Sequence, residues 1–133
     1  AWEHDDFAAA LETFLGVLAE HPYFADVHNK AGLCLAMLGR LDEAAAMTDS
    51  IVRTTPEAAS AFAILSSRFA IYLARGQHDS AALVAEAMRR QPSIPVQVAG
   101  LQGLAGLAAI EGRLAQAITL GAQVNALLKS RLG

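Results

Sequence analysis

The feature that most constrains this chain is a glycine-led stretch that recurs. Gly39-Arg40-Leu41-Asp42-Glu43-Ala44 returns as Gly76-Gln77-His78-Asp79-Ser80-Ala81 and as Gly112-Arg113-Leu114-Ala115-Gln116-Ala117. A fourth relative is Asp5-Asp6-Phe7-Ala8-Ala9-Ala10. The closing alanines stand at 10, 44, 81 and 117, so their spacings are 34, 37 and 36. Pro22, Pro56 and Pro92 keep a second register, spaced by 34 and 36. Two independent markers that keep step define a repeat of one helix–turn–helix unit, the kind that buries its apolar face only by stacking on its neighbours.

Each marker has a local physical meaning. Glycine enters the left-handed backbone region without a Cβ clash, so it closes a helix. The polar or acidic residues that follow suit the positive end of the next helix. The alanine five residues after the glycine lets two helices approach closely. Proline ends the second helix, because it lacks an amide hydrogen and clashes with the preceding turn. Between these markers, apolar spacings of three and four predict seven helices, at about 5–20, 24–38, 41–54, 58–75, 78–91, 95–111 and 114–130. Composition agrees with an all-helical chain. Hydrophobic residues, inflated by alanine, make up 54% and charged residues 17%, while aromatic residues are only 6%. No linker or low-complexity segment divides the 133 residues, so they read as a single domain, 1–133, with a partial repeat at 1–22 and repeats at about 25–56, 59–92 and 95–130.

In this register the chain resembles the tetratricopeptide repeat family. Over residues 25 to 56, Gly32, Leu35, Gly39, Leu41, Glu43, Ala44 and Pro56 match the family's small residue, aromatic, turn glycine, tyrosine, acid, alanine and closing proline. His28 replaces the usual tryptophan, and Arg68 and Phe69 stand where leucine and a small residue are usual. Pro22 precedes Gly39 by 17 residues, whereas Pro56 precedes Gly76 and Pro92 precedes Gly112 by 20. The later first helices, or the loops before them, are therefore one turn longer. The resemblance implies an all-α fold, a right-handed α-solenoid of antiparallel helix pairs with about seven helices.

Chemistry is sparse. Cys34, the only cysteine, cannot form an internal disulfide and reads as a buried, inert thiol. The histidines at 4, 21, 28 and 78 have no metal-ligand spacing. Glu3-His4-Asp5-Asp6 reads as a solvated chain end, and Asp42-Glu43 as a helix cap. Gly100, Gly103 and Gly106 follow helical spacing and lack the strand that a nucleotide loop needs; they predict a close helix approach. Arg68, amid apolar neighbours, reads as a side chain that snorkels to solvent or as a cation at the rim of a groove. No catalytic residue, metal site or cofactor site is identified, and the chain is not read as an enzyme. A net charge of −3 and the absence of a basic run argue against nucleic acid. The longest weakly polar stretch, Val98 to Ile110, falls short of the about 20 residues that span a bilayer, so no membrane insertion is expected. The compartment is open, with the cytoplasm favoured.

What the resemblance implies for function is a concave groove, lined by the first helix of each pair, that holds a peptide or a helix of another protein. The matching positions are Asn29, Leu33 and Met37, then Ser66, Ala70 and Leu73, then Gln102, Gly106 and Ile110. These carry almost no charge, so the expected partner is a protein or peptide with an apolar segment. A self-assembling structural module and a small secretion-type chaperone are the alternative readings. The chain lacks an initiating methionine and a polar capping helix, which suggests a piece of a longer array or a chain whose ends a partner covers. Such a piece would leave part of the Phe7, Leu11, Phe14 and Leu18 face uncovered and open to homo-oligomer contacts through its repeat ends.

Overall fold

The computed structural model describes the backbone of residues 4–132 and the side chains of residues 6–130. It contains seven α-helices and no strand among the described residues: α1 (His4–Glu20), α2 (Ala25–Met37), α3 (Leu41–Thr54), α4 (Phe62–Ala74), α5 (His78–Arg89), α6 (Ile94–Ile110) and α7 (Leu114–Leu132). The all-α class follows, and the helix boundaries lie close to those the sequence predicts, with one exception. Pro56 does not open α4. It opens a short 3-10 turn, Pro56–Ala58, after which the chain bends and α4 begins at Phe62 rather than near 58. The alanine-rich Glu57-Ala58-Ala59-Ser60 run favours helix locally, but Pro56 directs it into the tighter turn.

The longer spacing of the second and third repeats thus has two different outcomes. In the second repeat the extra residues enter the turn before α4, which keeps the 13 residues of α2. In the third they extend the helix, and α6 has 17 residues with Pro95 tolerated in its first turn.

All three repeat glycines close a helix in the left-handed region, with φ of 79° at Gly39, 75° at Gly76 and 80° at Gly112. Gly39 donates its amide to Ala36 O at 3.0 Å and Arg40 donates to Leu35 O at 2.9 Å, which satisfies carbonyls that the helix end would leave open. Gly112 and Arg113 repeat the pattern onto Ala109 O and Ala108 O, and Gly76 donates to Leu73 O. The next helix begins at once, with Ala44, Ala81 and Ala117 donating to the carbonyls of Arg40, Gln77 and Arg113.

The acids after the first glycine correct the capping expectation. No side chain caps α3 at Arg40. Instead Glu43 takes a forked pair of hydrogen bonds from Arg40, at 2.9 and 2.6 Å, and Asp42 accepts from Arg75, the residue that follows α4, at 3.0 Å. The Arg40 hydrogen bonds hold the Glu43 carboxyl below its ordinary range. Arg113 repeats the device in the third repeat, bonding to Gln116 and Glu111.

Backbone contacts divide the chain between Gly76 and Gln77 into two compact units. The first holds α1 to α4. Leu11, Ala31, Cys34, Leu35, Ala44, Ala45 and Ile71 form its core. Phe7, Phe14 and Leu18 are partly buried against that core, so the α1 face expected to lie open is instead its packing face, and Leu15 is the large exposed side chain of α1 at 44%. Gly32 lets α2 sit tightly on α3, since a Cβ there would come 3.0 Å from Thr48 Cγ2. The second unit holds α5 to α7. Leu101, Leu120 and Val124 form one cluster, and Val84, Ala85 and Met88 are buried along α5.

Gly100 of α6 makes a close approach. A Cβ there would lie 2.6 Å from both Ala85 O and Arg89 N and 2.9 Å from Met88 Cβ, whereas one at Gly106 would meet nothing within 4 Å. Gly100→Ala should therefore lower stability by about 1–3 kcal/mol by overpacking α5, despite the better helix propensity of alanine. Gly106→Ala should raise it by up to about 1 kcal/mol. Urea unfolding midpoints of the two variants check the opposite signs.

Candidate functional site

On α2 the residues open to solvent are Asp26, Lys30, Leu33 and Met37, which recur at spacings of four, three and four and so form one strip. Leu33 is 39% and Met37 58% exposed. The core residues of α2, Val27, Ala31, Cys34 and Leu35, come from the rest of the helix surface, so neither exposed side chain is part of the core. The single cation of the strip, Lys30, pairs with Asp26 one turn back at 3.2 Å. The apolar half of the strip therefore lies toward the helix C-terminus.

The other groove candidates divide by burial. Asn29 is buried, and its Oδ1 has no hydrogen-bond partner among the described residues. On α4, which packs on both α2 and α3, Ala70 is exposed while Ser66 and Leu73 are half-buried. These three share a strip with the exposed Ala63. In the second unit Gln102, Gly106 and Ile110 are all exposed on α6, and Ile110 is 61% exposed. The structure thus brings Leu33, Met37, Ser66, Ala70 and Leu73 onto the first helices of the first unit. It sets Gln102, Gly106 and Ile110 on the first helix of the third repeat, within the second unit.

Arg68 is neither a free snorkelling side chain nor a bare cation at a rim. Its Nη2 donates to Tyr72 Oη at 3.0 Å, Tyr72 in turn donates to Asp49 Oδ1 at 3.2 Å, and the Arg68 Nη2 to Asp49 Oδ1 separation is 3.8 Å. The guanidinium carbon lies 5.6 Å from the Tyr72 ring centroid. The network joins α4 to α3 and neutralises the charge that the apolar surroundings would penalise.

His28, at the position where tryptophan is usual, ties the α1–α2 connection to the α2–α3 pair. Its Nε2 lies 2.7 Å from Pro22 O, and since a carbonyl only accepts, Nε2 carries the proton. Its Nδ1 faces Met47 Sδ at 3.2 Å. Among the described residues no group of three or more His, Cys, Asp or Glu side chains could hold a metal ion. The side chains of Glu3, His4 and Asp5 lie outside the described residues.

One surface was not read from the sequence. The turn between α1 and α2 carries Tyr23, 71% exposed, and Phe24, 50% exposed, beside a hollow of about 540 Å³ that Thr55 also lines. The signal was available: in a chain with 6% aromatic residues, two adjacent ones stand directly after a proline and outside any helical apolar spacing.

A family model described as tetratricopeptide repeat matches residues 1–65. Neither the curated proteins nor the solved structures give a significant match.

Cys34 is buried among apolar neighbours, and burial pushes its thiol above the ordinary range. That suits packing and opposes nucleophilic use, because the thiolate is the reactive form. In the folded protein at neutral pH, an aromatic disulfide reagent should label Cys34 roughly tenfold or more slowly than it labels glutathione. Denaturant should restore the ordinary rate. Absorbance of the released thiolate against time measures both.

Proposed function

We propose, because a tetratricopeptide repeat model matches residues 1–65, that this chain holds an apolar segment of a partner protein against the first-helix face that Leu33 and Met37 open. Repeats of this family are protein-interaction modules, so the match supports protein partners; the apolar segment and its seat are the finer part of the proposal. The observation that carries it is the exposure of two large apolar side chains one turn apart on a first helix, at 39% and 58%, with the neighbouring cation already paired. Contiguous exposed apolar surface marks interaction sites. Ala70 and Leu73 supply small and apolar surface on α4. Met37 adapts to irregular partner shapes, since its side chain is unbranched and polarizable. An amphipathic helix laid along the face would present anchors at spacings of three and four.

No helix among the described residues is long and apolar enough to cross a membrane. The self-association reading draws on a different surface, the exposed Leu114 and Ile118 of α7, at 63% and 73%, one turn apart. These belong to a second helix, whereas the partner seat is assigned to first helices.

The test is a peptide library selected on the full chain. Selected sequences should be enriched in apolar residues at helical spacing, and their affinity should change little between low and moderate salt, since few charges are screened. The double variant Leu33→Gln with Met37→Gln should keep its helicity, because glutamine is about as good a helix former as the residues it replaces. It should lose roughly a hundredfold or more in affinity, as each well-buried aliphatic side chain contributes about 1.5–3 kcal/mol. Selection of charged peptides, or undiminished binding by the folded double variant, would place the partner elsewhere.

A further inference from the structure

The hollow at the α1–α2 turn has a charge character that the first-helix face lacks. Glu20 is the last residue of α1 and is exposed, with no hydrogen bond or ion pair to any described residue. The last turn of α1 contains no basic residue to answer its negative end. The hollow, about 540 Å³, is lined by Glu20, His21, Tyr23, Phe24 and Thr55 among others, and no lysine or arginine is among its lining residues. A free carboxylate, the negative end of a helix and two well-exposed aromatic rings therefore meet in one concave place. All three attract a cation, since aromatic faces carry negative quadrupole density.

We infer that this hollow binds an arginine side chain presented by a partner protein. Guanidinium fits better than ammonium for two reasons. It is planar and weakly hydrated, so it can lie on Tyr23 or Phe24 without giving up a tight water shell. Its fork can also donate two parallel hydrogen bonds to the Glu20 carboxylate. An ammonium in so open a place, where Tyr23 is 71% exposed, keeps its water and gains little. The site is separate from the Leu33–Met37 strip of α2 and recognises a different chemistry, so one partner could be read both by its apolar anchors and by a flanking arginine.

The probe is a capped tripeptide, glycine–arginine–glycine, titrated into the isotopically labelled full chain and followed by amide chemical shifts. Saturable shifts should concentrate at residues 20–25 and at Thr55. The same tripeptide with citrulline, which keeps the shape and removes the charge, should give none. The lysine tripeptide should bind distinctly more weakly. Glu20→Gln and Tyr23→Ala should each weaken the arginine peptide about tenfold, as expected for loss of a charge-assisted pair or a stacking surface. Both positions are exposed, and unchanged far-ultraviolet circular dichroism confirms the fold. The Leu33→Gln, Met37→Gln variant should bind the tripeptide like the unaltered chain, which separates this site from the first-helix face. Equal response to citrulline or lysine, shifts centred elsewhere, or full affinity in Glu20→Gln would overturn the assignment.

Discussion

Everything in this structure depends on a glycine that ends one helix at positive φ so that the next can start within two residues. At Gly39 and Gly112 the glycine and its successor donate their amides back to the finishing helix, and the following alanine already belongs to the new one. The reversal sets two helices side by side with almost no loop. Ala44, fully buried, keeps the α2–α3 seam thin enough for backbones to approach. Gly32 and Gly100 extend the same logic to contacts that a methyl group would crowd. With the seams carried by small residues, large apolar side chains are free for other uses, and Leu33 and Met37 are turned outward on the first helix.

Charge is spent locally in this fold. Arg40 with Glu43, Arg75 with Asp42 and Arg68 with Tyr72 and Asp49 tie helix ends and helix faces together. These pairs are mostly exposed and individually weak. On the exposed strip of α2 the cation Lys30 is paired with Asp26, which suits the proposed burial-driven partner. Glu20, which pairs with no described residue and stands beside Tyr23 and Phe24, is the contrasting case, and the arginine site is proposed there.

The helices and their turns were legible because each marker acts within a few residues: glycine fixes a turn, proline a stop, alanine a seam. Less was legible where two local solutions cost about the same. Twenty residues from proline to glycine fit a longer helix or a longer turn, and the chain uses the turn before α4 and the helix in α6. Arg68 looked anomalous because its partner Asp49 lies on another helix, which no local spacing reveals. The Phe7, Leu11, Phe14 face of α1 packs on the core of α2 and α3, a contact between helices that no spacing within α1 reveals. Among the groove positions, the family register named Leu33 and Met37 on the exposed strip and Asn29 on the buried side of the same helix, since the register fixes a position but not the tilt of the helix.

The central claim is conformational, and the handedness of a single carbon tests it most directly. D-alanine favours the positive φ that L-alanine resists, so semisynthetic chains with each at position 39 differ only in chirality. The D-alanine chain should match or exceed the unaltered protein in unfolding free energy, because it reduces the freedom of the unfolded chain at no native strain. The L-alanine chain should lose about 1–2 kcal/mol. Equal stability of the two chains, or a more stable L-alanine form, would contradict the account that a left-handed glycine sets the repeat.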